Sequence, residues 1–121
     1  MKSHILIVDD EAPIREILAQ MLGQHGFRVT EAATAAEAHQ LVQRETPDLI
    51  ISDLQLEESD GLAMVARIKG DRPQLPVILL TGVLFDDEVV RETLSKVVTA
   101  YLPKTTPLAR ILEEVRRVLE S

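Results

Sequence analysis

Short runs of apolar residues alternate along the chain with longer segments in which apolar residues recur every three or four positions. Three of the runs, residues 5–8, 49–51 and 77–80, are apolar throughout, which is typical of strands buried on both faces of a parallel sheet. Residues 27–32 alternate between apolar and polar, and the run at 99–102 is short, so both are predicted as edge strands. The pattern therefore predicts three central strands and two edge strands.

The segments between and after these runs predict five helices. The first begins near Pro13, because proline suits the opening position of a helix, and the second opens with a capping pattern at Thr34 and Glu37. The other three are predicted at about residues 61–69, 86–96 and 108–119, and the last of them places its apolar residues on one face. Strands that alternate with helices predict an α/β fold, in which right-handed crossovers wind a five-stranded parallel sheet on both faces.

Composition narrows the class of protein. The 121 residues, 45% of them hydrophobic, are enough for one domain with one core, so we expect a single domain over residues 1–121. A net charge of −7 and only three aromatic residues disfavour nucleic acid and anionic membranes as partners. Cysteine is absent, and no apolar run approaches the roughly 20 residues that cross a bilayer. We therefore expect a cytoplasmic protein.

Polar residues follow the predicted strands at one edge of the sheet. Asp9 and Asp10 follow the first strand, Asp53 the third, Thr81 ends the fourth, and Lys104 lies just past the fifth. Ligands of open parallel sheets bind at this edge, and clustered carboxylates repel one another unless a cation such as Mg²⁺ neutralises them. A carboxylate can also attack phosphorus, with lysine and hydroxyl groups compensating the charge of the phosphoryl oxygens. The pattern predicts a Mg²⁺ site that supports phosphoryl transfer.

Five sequence blocks carry a resemblance to a known family. They are "ILIVDDE", "PDLIISDLQL", the "DG" of Asp60 and Gly61, "LPVILLTG" and "AYLPK", and together they extend over essentially the whole chain. In this order they resemble the CheY-like receiver domain of two-component response regulators. The resemblance implies the flavodoxin-like strand order 2-1-3-4-5.

The same resemblance implies a role for each acid. Asp53 resembles the phosphoacceptor that takes a phosphoryl group from the phosphohistidine of a sensor histidine kinase or phosphotransfer protein. Asp10 resembles the direct Mg²⁺ ligand, Asp9 the acid that acts on the metal largely through water, and Gln55 the position whose backbone carbonyl completes the ligand set. The receiver would be a stoichiometric phosphoacceptor that assists its own phosphorylation and dephosphorylation, rather than an enzyme.

The resemblance also implies a switch. Thr81 and Lys104 resemble the residues that contact phosphoryl oxygens, and Tyr101 resembles the aromatic residue that moves inward when Thr81 moves toward the phosphate. The output surface would be the face formed by the fourth helix, fifth strand and fifth helix. That face would bind a downstream protein or an attached effector domain, or pair two copies of the chain.

Two positions depart from the family pattern and keep a second function open. Glu57 and Thr105 stand where the family usually has proline, and the segment from Thr81 to Tyr101 is about one residue longer than usual. The alternative is a receiver-like module that binds partners without accepting phosphate. A phosphatase of the haloacid-dehalogenase type is disfavoured, because its motif needs a second aspartate where Gln55 stands.

Two further groups of polar residues are interpreted as surface features. The three histidines, His4, His25 and His39, show no metal-ligand spacing and are expected at the surface. The charged residues of the last helix, Glu113–Glu114 and Arg116–Arg117, are interpreted as a solvated face.

Overall fold

The computed structural model describes residues 2–53, 55–56, 59–82 and 98–120, and its centre is a five-stranded parallel sheet. The strands are β1 (His4–Val8), β2 (Arg28–Ala32), β3 (Leu49–Asp53), β4 (Val77–Thr81) and β5 (Ala100–Pro103). Their order is β2-β1-β3-β4-β5, and every neighbouring pair runs parallel. This order and the two edge strands were both predicted, and both are confirmed.

Four helices lie in the part of the chain that the structure describes. They are α1 (Ala12–Gln24), α2 (Ala35–Arg44), α3 (Gly61–Asp71) and α4 (Leu108–Glu120), and α4 corresponds to the fifth predicted helix. The helix predicted at about residues 86–96 lies outside the described residues. None of these four helices combines the length and the apolar character needed to span a bilayer.

A short antiparallel pair, Gln55–Leu56 with Ser59–Asp60, follows β3 and was not predicted. Strands of two residues are too short to show an alternating pattern, so hydrophobic periodicity carries no signal for them. The pair lies directly before α3 and connects the end of β3 to that helix.

The central strands bury side chains on both faces of the sheet. Leu6 and Val8 of β1 pack in the cluster formed with α2 and α3, whereas Ile5 and Ile7 pack in the cluster formed with α1 and α4. Successive side chains of a strand point to opposite faces, so a continuously apolar strand requires a helical layer on each side. The sheet is therefore doubly wound, as expected.

Local signals in the sequence fix two of the helix boundaries. The Thr34 hydroxyl accepts a hydrogen bond from the Glu37 backbone N–H at 3.1 Å, which is the N-cap that the sequence predicted for α2. Pro13 lies in the first turn of α1, and Gly26 has a φ of +90° in the turn between α1 and β2. A side chain would strain the backbone at Gly26, which explains the glycine there.

The apolar face predicted for the last helix is confirmed. The prediction that its charged residues are solvated is wrong for one residue, Glu114. Glu114 of α4 is only 5% exposed. Its carboxylate accepts hydrogen bonds from Arg117 Nε at 2.9 Å and from Arg110 Nη1 at 3.3 Å. The hydrogen bond from Arg117 is the main reason why the pKa of Glu114 lies below its ordinary value. Two arginines on the same helix therefore compensate a buried charge.

His4 also departs from the sequence expectation, because the first residue of β1 is buried, with 8% exposure, rather than at the surface. Its Nε2 lies 2.7 Å from Thr30 Oγ1, and its Nδ1 lies 3.2 Å from Arg28 Nη2. Arginine can only donate, so Nδ1 accepts and the proton of the neutral ring is on Nε2. Burial, and then the charge of Arg28, lower the pKa of His4.

We predict that His4 makes the protein less stable in acid. Because the pKa of His4 is lower in the folded protein than in the unfolded chain, its contribution to stability is complete above about pH 6.5. The contribution is lost as the pH falls through the lowered value. Urea unfolding from pH 7.5 to 5 should therefore show a smaller loss of stability for His4→Gln than for the wild type. The exposed His25 provides the matched control. If His25→Gln reduced the loss of stability in acid as much as His4→Gln does, the assignment of this loss to His4 would be contradicted.

Candidate functional site

The parallel sheet brings the predicted polar residues to one edge. Asp9 follows β1 directly and continues its pairing with β2 through a backbone hydrogen bond to Ala32 O at 3.1 Å. Asp53 and Thr81 are the last residues of β3 and β4. Lys104 follows β5, and its backbone N–H donates to Thr81 O at 2.8 Å. The pairing of the strands therefore fixes the backbone positions from which these side chains extend.

Three carboxylates form an acid cluster at this edge, made of Asp9, Asp10 and Asp53. Each offers an oxygen, and the three oxygens lie within 4.8 Å of one another. Asp9 is 1% exposed and Asp53 is 6% exposed, while Asp10 is half-buried. Like charges this close and this far from water are unfavourable unless positive charge compensates them.

Lys104 supplies positive charge to the cluster. Its Nζ lies 2.8 Å from Asp53 Oδ2 and 3.4 Å from both Asp9 Oδ2 and Glu11 Oε2. Burial alone would lower the pKa of Lys104, but the hydrogen bond to Asp53 and the neighbouring acids outweigh it and raise the pKa. Lys104 therefore stays charged at neutral pH, and among the described residues it pairs with three acids, Asp9, Glu11 and Asp53.

Asp9 is the acid whose charge is least well compensated. Its Oδ1 accepts a hydrogen bond from the Glu11 backbone N–H at 2.9 Å. Its Oδ2 is buried without a hydrogen-bond partner among the described residues, and Lys104 Nζ at 3.4 Å forms an ion pair rather than an aligned hydrogen bond. Burial is the main cause that raises the pKa of Asp9. An oxygen of this kind suits a hard cation, so the donor set fits Mg²⁺.

Thr105 does not prevent Lys104 from reaching the acids. The described part of the chain contains no cis peptide bond, so the Lys104–Thr105 bond is trans. Lys104 nevertheless contacts Asp53, so a proline after the lysine is not needed for this geometry. Glu57, the other departure from the family pattern, lies outside the described residues.

The remaining predicted residues lie near the edge, and their roles stay predictions. Thr81 is buried at the end of β4. Gln55 begins the short antiparallel pair, where the structure describes its backbone. Tyr101 is half-buried in β5 and packs against the cluster formed with α2 and α3.

Sequence reasoning missed three polar contributions to the site. Glu11 lies beside Lys104, and its signal was present, because it is the third acid of the "DDE" stretch. Arg15 donates from Nη1 to the backbone carbonyl of Asp9 at 2.7 Å, and Ser52 Oγ donates to the carbonyl of Asp53 at 3.0 Å. These last two contacts fix backbone groups, so no motif of functional side chains could indicate them.

Comparison with known families agrees with this geometry. The family model described as "Response regulator receiver domain" matches residues 5–116. The chain belongs to this family. It is therefore a receiver domain of two-component systems, and the acid cluster lies where receiver domains generally bind Mg²⁺.

Two curated relatives extend beyond the receiver. The transcriptional activator protein ExaE of Pseudomonas putida is 39% identical over 117 residues, which are 95% of this chain and 54% of ExaE. The response regulator protein VraR of Staphylococcus epidermidis is 34% identical over 122 residues, which are 99% of this chain and 58% of VraR. The chain therefore spans little more than half the length of these relatives.

Solved structures of receiver domains superimpose closely on this chain. A CheY-like receiver domain protein from Methanospirillum hungatei has a TM-score of 0.91 at 28% identity, covering 99% of this chain and 95% of that one. The chemotaxis protein CheY4 of Vibrio cholerae has a TM-score of 0.89 at 27% identity, covering 98% and 99% of the two chains. The fold prediction is therefore confirmed for the part of the chain that the structure describes.

We predict that Asp9→Asn stabilises the metal-free receiver. The substitution removes a buried charge while its amide oxygen can still accept the Glu11 N–H, so the free energy of unfolding at pH 7 should rise by about 0.5–2 kcal/mol. Mg²⁺ should stabilise the wild type in the same urea experiment but stabilise the variant much less. The exposed Asp71 provides the control variant Asp71→Asn. A lower free energy of unfolding for Asp9→Asn than for the wild type would show that the Asp9 carboxylate stabilises the fold instead.

Proposed function

We propose that residues 1–121 form one receiver domain in which Asp53 accepts a phosphoryl group from the phosphohistidine of a sensor histidine kinase or phosphotransfer protein. The observation that carries the proposal is the position of the Asp53 carboxylate. It ends a central strand, lies within the acid cluster and is bonded to Lys104 Nζ at 2.8 Å. A nucleophile in these surroundings has charge compensation close at hand.

In the proposed transfer, a carboxylate oxygen of Asp53 forms a bond to phosphorus while the bond from phosphorus to the imidazole nitrogen breaks. The ring leaves with that electron pair, and because its other nitrogen carries a proton it departs as neutral imidazole. Lys104 is already bonded to the Asp53 carboxylate, so it can pair with an oxygen of the incoming group, and the Thr81 hydroxyl can donate to another. The residues of the chain thus position the group and neutralise its charge.

Asp9, Asp10 and Asp53, with the backbone carbonyl of Gln55, would hold Mg²⁺. The donor set supports this assignment, because three carboxylates converge and Asp9 Oδ2 is buried without a hydrogen bond among the residues described. When bound, the ion supplies further positive charge to the phosphoryl oxygens. Because one carboxylate holds one phosphoryl group, the domain acts as a stoichiometric acceptor rather than as an enzyme. Asp53 is regenerated when water attacks phosphorus, the bond from phosphorus to the Asp53 oxygen breaks, and inorganic phosphate leaves.

We propose that phosphorylation of Asp53 changes a binding surface that includes β5 and α4, and that Thr81 and Tyr101 transmit this change. Tyr101 is half-buried, so it has both core contacts and a path to solvent. The partner at this surface would be a downstream protein, an attached effector domain or a second copy of the chain. A module that binds partners without phosphate is the alternative, and the Lys104–Asp53 contact speaks against it.

We predict that acetyl phosphate and Mg²⁺ add one phosphoryl group to the wild type, detected by intact-protein mass spectrometry. Asp53→Asn should remove the modification while the exposed-site control Asp71→Asn retains it. Chelation of Mg²⁺ should abolish it in the wild type. A folded protein that binds Mg²⁺ but gains no phosphoryl group would contradict the proposal and favour the constitutive binding module.

We also predict that the Lys104→Ala variant is phosphorylated about 100-fold more slowly than the wild type. Loss of a contact that stabilises charge in a buried site typically has an effect of this size. The rate is measured by following the intact mass over time at saturating Mg²⁺. Lys2→Ala, at an exposed lysine, is the control. Equal rates for Lys104→Ala and the wild type would show that Lys104 has no part in the transfer.

A further inference from the structure

A groove of about 470 Å³ lies between α2 and α3, outside the acid cluster. Its apolar lining consists of Met64 and three alanines, Ala35, Ala36 and Ala63, and its polar lining consists of His39, Gln40 and Arg67. Met64 is buried and belongs to the core, whereas Arg67 is exposed at the surface. The groove therefore has an apolar floor and a polar margin.

The charge of this groove is opposite to that of the chain. The whole protein has a net charge of −7, yet none of the described residues that line the groove is acidic. Some other basic side chains pair with acids, for example Arg15 with Glu31 at 3.3 Å. In the described part of the structure Arg67 forms no ion pair, so its guanidinium is available to a ligand.

His39 adds a second hydrogen-bonding group. Its Nδ1 is buried in the wall of the groove and has no hydrogen-bond partner among the residues that the structure describes. Buried polar atoms without partners are uncommon, because they lose their bonds to water and gain none in return. The wall of the groove therefore contains an unsatisfied imidazole nitrogen in addition to the guanidinium of Arg67.

We propose that the groove between α2 and α3 binds an acidic peptide segment of a partner protein. An apolar side chain of that segment packs on Met64 and the alanines, and a neighbouring carboxylate pairs with Arg67 through charge-assisted hydrogen bonds. The groove is larger than a single carboxylate needs, which favours a peptide over a small organic acid. Binding in the groove does not require phosphorylation, because none of the described lining residues belongs to the acid cluster.

The test uses two blocked peptides, Ac-Glu-Leu-Glu-Glu-Leu-Glu-NH₂ and its analogue with glutamine at every glutamate. Titration of the ¹⁵N-labelled protein with the acidic peptide should shift the amides of Ala36, His39, Ala63 and Arg67. Arg67→Gln should weaken binding about tenfold, as expected for loss of a charge-assisted contact. Arg116→Gln, at an exposed arginine of α4, should bind like the wild type.

Several results would overturn the proposal. These are no amide shifts at millimolar peptide, shifts confined to another surface, equal binding of the glutamine analogue, or unchanged affinity in Arg67→Gln. Sedimentation velocity is run on the same samples, and self-association that produced the same shifts would assign the groove to a second copy of the chain. Asp53→Asn should bind the acidic peptide normally, so failure of the proposed phosphotransfer and failure of this inference are distinguishable.

Discussion

The contact between Lys104 Nζ and Asp53 Oδ2 links the strand ends at the edge of the sheet on which the proposed chemistry depends. Asp53 ends β3 and Lys104 follows β5, and β4 lies between these two strands. The contact therefore spans three strands, and the backbone bond from Lys104 N to Thr81 O fixes its starting point. A shift of β5 by one residue would place another side chain against Asp53. The register of the sheet is thus a requirement of the site as well as of the core.

The acids at this edge repel one another, so the site is unfavourable by itself and depends on a stable core. Asp9 and Asp53 are almost completely buried, and among the described residues Lys104 pairs with both of them and with the nearby Glu11. Such an arrangement persists only where the surrounding structure determines it. Continuously apolar strands with a helical layer on each face provide that support, since they leave the strand ends little freedom to separate the acids.

Much of this could be predicted from the sequence, because burial on both faces produces apolar runs that are read directly from the residue order. Asp9, Asp53 and Lys104 lie together, as expected, because the carboxyl ends of parallel strands meet at one edge of the sheet. Predictions failed where a side chain finds partners that no local pattern specifies. His4 meets Arg28 across the sheet, and Glu114 is covered by arginines of its own helix. A histidine or glutamate at such a position has the same sequence signature as one in solvent.

The two faces of the sheet have different relations to the site. Tyr101 packs against the cluster that contains Met64, and Met64 also lines the groove between α2 and α3. Ala100 and Leu102, its neighbours in β5, pack on the opposite face with α1 and α4. Protein interiors are close-packed, so an inward movement of Tyr101 would have to displace side chains of the α2–α3 cluster. Any motion of this tyrosine is therefore coupled mechanically to the layer beneath the groove, on the face of the sheet opposite to α4.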